Sequence, residues 1–195
     1  PDIWMRPNGD AYEYIGVYIG DLAIIARNPG KIANILQSKY NFKLKGTGPI
    51  TFHLGMDFFR DSDGVLCIAA RKYVEKMVMT YEQHFGSKPS QKFSLPPEAG
   101  DHPEVDSSEF LDVTETQLYQ SLIGALQWAV SIGRFDITTA VMMLSGFRTM
   151  PRHGHLDHVR CVYGYLSKMK DAMIRVRAAE PDYSGLPDRA FDWAQ

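Results

Sequence analysis

The sequence predicts an α+β fold, with antiparallel hairpins covered by helices in the first half and a small helical bundle in the second. Three observations predict it. Two β-type stretches are each broken by a tight-turn signal, Gly20-Asp21 in the first and Asp61-Ser62-Asp63-Gly64 in the second. Apolar residues recur at helical spacing in Arg71–Phe85 and again in three segments beyond residue 114. Between the two halves lies a stretch dense in proline and acidic residues.

In the first hairpin Tyr12, Tyr14 and Tyr18 alternate with Ile15, Val17 and Ile19, and residues 22–26 return as a short apolar run. Asn28 then caps a helix with Pro29 in its first turn, and its stripe of Ile32, Ile35 and Leu36 is expected to cover one face of the sheet. Residues 51–60 and 65–69 form the second hairpin, and Val74, Met77, Val78, Tyr81 and Phe85 give the next helix its apolar face. Pro89, Pro96, Pro97, Gly100 and Pro103, among many acids, mark residues 87–114 as a linker or long surface loop.

Thr114 and Gln117 have the spacing of a capping box, and Leu118, Leu122, Leu126 and Val130 follow at four-residue steps until Gly133. Asp136 is expected to cap a second helix carrying Ile137, Val141 and Leu144, which must end before Pro151. A third carries Leu156, Val159, Val162, Leu166 and Met169. Three amphipathic helices with short connections make a small bundle. From Ile174 the pattern turns β-like, and Phe191-Asp192-Trp193 reads as the start of a new element.

Composition sets limits on function. With 45% hydrophobic, 23% charged and 12% aromatic residues, the 195-residue chain has globular composition and enough length for a core without disulfide staples. No apolar run approaches ~18 residues, so no transmembrane helix is expected. Cys67 and Cys161 have no CxxC partner, which favours a reducing, intracellular setting over a disulfide framework or zinc ribbon. A chain that starts at Pro1 without a charged-then-apolar leader reads as a piece of something longer. The net charge of −2 conceals segregation: residues 1–90, 91–118, 119–180 and 181–195 carry +2, −6, +4 and −2.

The segment Val17-Tyr18-Ile19-Gly20-Asp21-Leu22, followed by an apolar strand and a proline-started helix, resembles the YxDD box of reverse transcriptases in the version found in copia-type LTR retrotransposons. The likeness continues in order. Phe42-Lys43-Leu44-Lys45, Gly48-Pro49 and Phe52-His53-Leu54-Gly55-Met56 are similar to the family's segment ending in FLG. Arg60-Asp61, Asp63-Gly64 and Arg71-Lys72-Tyr73-Val74-Glu75-Lys76-Met77 resemble its "R.DG…QKYIEKLL" stretch. Tyr119-Gln120-Ser121-Leu122-Ile123-Gly124-Ala125-Leu126 resembles "YRSLIGSLLYL", and Gly133-Arg134-Phe135-Asp136-Ile137 resembles "TRPDI". Pro151, His155 and Tyr165-Leu166 keep the spacing of the helix that follows, and Asp192-Trp193-Ala194 resembles the start of the RNase H segment, with Ala190 where the family has its first Asp.

The resemblance implies residues 1–86 as the rear of a polymerase palm, 87–114 as an acidic linker, 115–172 as a thumb or connection bundle and 173–195 as the start of an RNase H-like region. It implies template-directed addition of deoxynucleotides to a primer, with Mg²⁺ as cofactor, and template–primer, dNTP and the rest of a retrotransposon polyprotein as partners. Work in cytoplasmic particles with later nuclear integration, and no membrane contact, belong to the same expectation. Two-ion phosphoryl transfer needs carboxylates converging on both metals. The family supplies one from an upstream strand and two from the YxDD box. Here the box reads Tyr18-Ile19-Gly20-Asp21, so Asp21 is the one catalytic and metal-ligating residue, Gly20 replaces its partner, and the polypeptide is not expected to polymerise by itself. A non-catalytic nucleic-acid-binding remnant and a purely structural remnant are the alternatives.

Leu54 and Gly55 match the hairpin that supports the primer terminus in reverse transcriptases. Arg134, Arg148, Arg152, Arg160, Lys168 and Lys170 are candidates to track phosphates, or else form a solvated helix face. His153, His155 and His158 beside Asp157 match no common zinc spacing, and the resemblance makes His155 a helix-start histidine.

Overall fold

A computed structural model describes residues 2–96 and 102–177, which form two antiparallel sheets and five α-helices. Strands β1 (Asp2–Asn8), β2 (Ala11–Tyr18) and β3 (Asp21–Ile25) make a meander in the order β1-β2-β3. β1 is an addition to the expected hairpin. Its connection to β2 is the two-residue loop Gly9-Asp10, with Gly9 at φ 67°, a conformation glycine adopts without cost.

Helix α1 (Pro29–Tyr40) starts where Asn28 Oδ1 accepts the Lys31 N–H at 3.1 Å, and ends at Asn41, which is left-handed at φ 56°. Its expected apolar stripe is only partly used: Ile32 is buried, Leu36 half-buried and Ile35 exposed.

The second sheet has the order β4-β5-β6-β7, from β4 (Phe52–His53), β5 (Met56–Arg60), β6 (Leu66–Ala69) and β7 (Met173–Val176). The strand expected over residues 51–60 is therefore two strands. Leu54 at φ 52° and Gly55 at φ 87° are consecutive left-handed residues that reverse the chain within two positions. Apolar residues continue through the turn, which is why the strand pattern hid it. β7 pairs antiparallel with β6, Ala69 opposite Met173, so residues 173–176 complete this sheet instead of opening a new region. Residues 178–195, including Ala190 and Asp192-Trp193-Ala194, lie outside the described residues, as do Pro97 and Gly100 of the acidic segment.

Helix α2 (Arg71–Phe85) has the expected bounds and stops at Gly86, φ 67°. Helix α3 (Val113–Ser131) begins one residue before Thr114, because the capping box is Asp112 with Glu115. The Asp112 carboxylate accepts the Glu115 N–H at 2.8 Å, and Glu115 Oε2 accepts the Asp112 N–H at 3.1 Å. Helix α4 (Thr138–Ser145) lacks the expected Asp136 cap: Asp136 lies in a preceding single 3-10 turn and its carboxylate is held by Arg134. Helix α5 (His153–Lys168) ends before Met169, which is largely exposed.

One core joins α2 to the bundle. Val74, Met77 and Tyr81 of α2 are buried with Ile123 and Leu126 of α3, Val141 of α4 and Val159 and Leu166 of α5. Buried and half-buried tyrosines tie the layers together through backbone carbonyls: Tyr73 donates to Ala125 (3.2 Å), Tyr119 to Leu144 (2.8 Å) and Tyr163 to Leu122 (3.4 Å). The core thus does not divide at residue 86.

The acidic segment is docked on this core through its apolar residues. Pro89, Phe93, Pro96, Pro103 and Leu111 are buried. Its backbone pairs with the entry to α5: Leu111 N–H donates to the Pro151 carbonyl at 3.0 Å and His153 N–H to that of Glu109 at 3.1 Å. Two glycines of α5 permit the approach. A Cβ on Gly154 would stand 2.5 Å from Asp106 Oδ2, and one on Gly164 only 2.1 Å from the Ser90 carbonyl oxygen. Gly164→Ala is accordingly expected to lower stability by about 1–3 kcal/mol through overpacking. Gly124→Ala, on the exposed face of α3 with nothing within 4 Å of the new Cβ, is expected to raise it by about 0.5–1 kcal/mol. Urea unfolding of the two variants against the parent checks both signs.

Candidate functional site

The β2–β3 hairpin carries the residue on which the functional expectation rests. Tyr18 is the register partner of Asp21, so the two-residue turn is Ile19-Gly20, one position earlier than the Gly20-Asp21 turn expected from the sequence. Asp21 is the first residue of β3 and is exposed. The left-handed residue is Ile19, at φ 54° and 93% exposed, an uncommon place for a β-branched side chain. Gly20 does not have a left-handed φ, and a Cβ added to it would meet nothing within 4 Å. The turn therefore has room for a side chain at position 20.

The neighbouring acids do not converge on Asp21. Asp2 is the register partner of Val17 while Asp21 is that of Tyr18, and strand alternation places these two rows on opposite faces of the sheet. Glu13 is committed elsewhere: Arg6 Nε donates to it at 2.6 Å and Asn8 Nδ2 at 2.9 Å. The Arg6 hydrogen bond outweighs burial and holds the Glu13 carboxyl below its ordinary range. Among the described residues no three His, Cys, Asp or Glu side chains form a metal-binding group. One exposed carboxylate falls short of the set that a two-Mg²⁺ centre requires.

Leu54 and Gly55 form the β4–β5 turn, and that turn rests on the end of α3. A Cβ on Gly55 would meet Ile132 Cδ1 at 3.4 Å and Trp128 Nε1 at 3.5 Å. At the base of the same hairpin, Lys72 Nζ stands 4.9 Å from the Phe52 ring centroid and 3.1 Å from Asp57 Oδ1.

Most of the cations expected to track phosphates serve the fold. Arg134 is 2% exposed and grips Asp136 with both Nε (2.9 Å) and Nη2 (2.7 Å), while the Tyr165 hydroxyl donates to the same carboxylate at 2.9 Å. It is thus removed from any phosphate-facing set. Arg152 donates to the Ser108 carbonyl and lies 3.7 Å from the Phe110 ring centroid. Arg160 pairs with Asp157 at 2.8 Å and covers Phe85, Lys168 donates to Ser94, and Lys170 pairs with Glu75 at 3.4 Å. Of the six, Arg148 is exposed and makes no ion pair among the described residues. His155 is buried and occupied at both ring nitrogens: Nδ1 accepts the Arg152 N–H at 3.0 Å, which leaves Nε2 to donate to the Pro103 carbonyl at 2.9 Å. It closes a helix start and is no metal ligand.

Three known proteins are similar over most of the chain. A putative transposon Ty5-1 protein of Saccharomyces cerevisiae is 27% identical over 179 residues, covering 90% of this chain and 56% of that protein. The retrovirus-related Pol polyprotein from transposon RE1 of Arabidopsis thaliana is 26% identical over 172 residues, covering 85% of this chain and 11% of the polyprotein. The corresponding polyprotein from transposon TNT 1-94 of Nicotiana tabacum is 24% identical over 180 residues, 88% of this chain and 13% of its own length. The chain is a relative of transposon Pol polyproteins. It spans little more than half of the yeast relative and about a tenth of each plant polyprotein. No family profile and no solved structure matches it.

Sequence spacing could not reveal the Arg134–Asp136–Tyr165 cluster, since Tyr165 joins it from another helix. Burial pushes the Asp136 carboxyl up, but the hydrogen bond and charge of Arg134 and the Tyr165 hydroxyl outweigh it and leave the group below its ordinary value. A carboxylate lowered in the folded state stabilises at pH values above its unfolded value, about 3.9, and that contribution is lost as pH falls through the lower folded value. Asp136→Asn is expected to cost about 3 kcal/mol at pH 7 by leaving a buried guanidinium uncompensated. It should also make the acid loss below about pH 4 shallower, which urea unfolding at pH 7 and at about pH 3 measures.

Proposed function

We propose that the chain is the C-terminal part of the reverse-transcriptase region of a retrotransposon Pol polyprotein. In this reading residues 2–86 supply the rear of the palm with its YxDD-like hairpin, and α3–α5 supply a thumb or connection. The observation that carries it is Asp21, exposed at the first position of β3 beside Tyr18 and followed by a proline-started helix. Similarity to transposon proteins along 85–90% of the chain supports it. The parent reaction is attack of a primer 3′-hydroxyl on the α-phosphorus of a dNTP, with pyrophosphate leaving, on an RNA or DNA template. Two Mg²⁺ ions would supply the activation of the hydroxyl and the stabilisation of the leaving group.

In the polypeptide as it stands, Asp21 contributes one carboxylate, and we assign no primer extension to it alone. The room at Gly20 favours a second reading beside the first, a copy that keeps nucleic-acid affinity and has lost catalysis. The turn does not demand glycine, so the missing acid is a chemical loss without a compensating gain in backbone geometry.

Joining the chain to the upstream part of a related Pol polyprotein tests both readings by primer extension. With Gly20 in place, extension is expected to be about 10²-fold or more below that of Gly20→Asp, the scale of one weakened Lewis-acid interaction. Adding Asp21→Asn to Gly20→Asp should abolish it. Equal extension with Gly20 and Gly20→Asp would overturn the claim of lost catalysis.

A further inference from the structure

From Leu22 through Met56 the chain carries Arg27, Lys31, Lys39, Lys43 and Lys45 and no aspartate or glutamate, although acids outnumber cations in the whole protein, 23 to 21. The lack extends to a position where helix stability favours an acid. The first turn of α1 has no acidic residue and contains Lys31, a cation at the positive end of the helix dipole. Arg27 pairs with Asp10 and the charge of Lys31 acts on the Glu13 carboxylate, but Lys39, Lys43 and Lys45 make no ion pair among the described residues. Here the surface differs from the α5 side of the molecule, whose cations are engaged by Asp157, Glu75, Ser94 and Ser108.

Two aromatic rings stand within the basic run. Tyr40 is 57% and Phe42 55% exposed, and Lys39 Nζ lies 5.5 Å from the Tyr40 ring centroid. Their position is set by the end of α1: Asn41 takes the left-handed conformation, and the Phe42 N–H closes back on the Leu36 carbonyl at 3.0 Å. Lysines alternating with exposed rings suit one class of polyanion best. A single nucleic-acid strand offers phosphates to the ammonium groups and unstacked bases to the ring faces. An acidic protein segment would use the lysines and leave the rings idle.

We propose that residues 39–45 form a contact surface for single-stranded nucleic acid, with Lys39, Lys43 and Lys45 on phosphates and Tyr40 and Phe42 stacking on bases. The surface is separate from the β2–β3 hairpin. It rests on the nucleic-acid part of the function proposed above and not on catalysis.

The test is fluorescence anisotropy of labelled oligo-dT and oligo-rU with the full chain across about 50–200 mM salt. Three phosphate contacts predict a slope of log K against log salt near −2, at about 0.7 per contact. Replacing Lys39, Lys43 and Lys45 with Gln should remove most of that slope and weaken binding about tenfold or more at low salt. Phe42→Ala should weaken binding about fivefold or more with the slope unchanged. The comparison variant Lys76→Gln with Lys88→Gln, at exposed lysines outside this run, should bind like the parent. All these side chains are exposed or partly exposed, and circular dichroism verifies that the fold is kept. Parent-like binding by the triple Gln variant, no effect of Phe42→Ala, or binding of phosphatidylserine vesicles but neither oligonucleotide would each overturn the assignment. Loss of binding only when the competing helical cations are replaced, Arg148→Gln with Lys170→Gln, would refute this surface while leaving nucleic-acid binding intact. Failure of the parent to bind either oligonucleotide would refute this surface, and failure to bind a template–primer duplex as well would refute the nucleic-acid part of the proposed function.

Discussion

The pairing of β6 with β7 holds Ala69 opposite Met173 and so closes a loop of about a hundred residues. Everything between must return to the sheet that begins at Phe52. The chain meets that requirement by giving α2 and α3–α5 one core, with tyrosine hydroxyls on backbone carbonyls at each layer boundary. It also explains why the acidic segment cannot behave as a free tether. Pro89, Phe93, Pro96, Pro103 and Leu111 are buried, and a side chain is shut out at Gly164 by the Ser90 backbone and at Gly154 by the Asp106 carboxylate.

The first sheet is built on different terms. Ile32 is the one buried apolar residue among described residues 2–51, while Ile3, Trp4, Met5 and Ile25 remain largely exposed. A sheet with so little buried area contributes little to stability and opens more readily than the bundle. The YxDD-like hairpin is therefore mounted on the least consolidated part of the molecule. Ile19 adds strain at the hairpin tip, where no packing offsets it.

What the sequence made legible followed from local rules. Asn28-Pro29 starts α1 and the apolar spacing in Arg71–Phe85 bounds α2, because caps and helical periodicity act within a few residues. Misreadings arose where a second local solution competed. Asp112 with Glu115 outcompeted Thr114 with Gln117 as the capping box, and the Leu54-Gly55 turn sat inside a run that reads as a continuous strand. β1 was available from Asn8-Gly9, a strong turn signal preceded by apolar residues. Pairing between distant segments lay beyond local reading: that of β6 with β7, of Phe110 with Arg152, and of Tyr165 with Asp136.

Charge shows the same limit most sharply. On the sequence, Arg134 and Lys43 are equivalent cations, and the helical excess of positive charge near the C-terminus draws attention first. In the fold, Arg134 is desolvated against Asp136, where its charge stabilises a turn, whereas Lys43 is exposed with no carboxylate between Leu22 and Met56 to oppose it. A cation already holding a buried carboxylate has little attraction left for phosphate, because breaking such a pair costs more than a surface contact returns. The number of lysines and arginines in a segment therefore says less about a polyanion partner than the number of carboxylates the fold has placed within their reach.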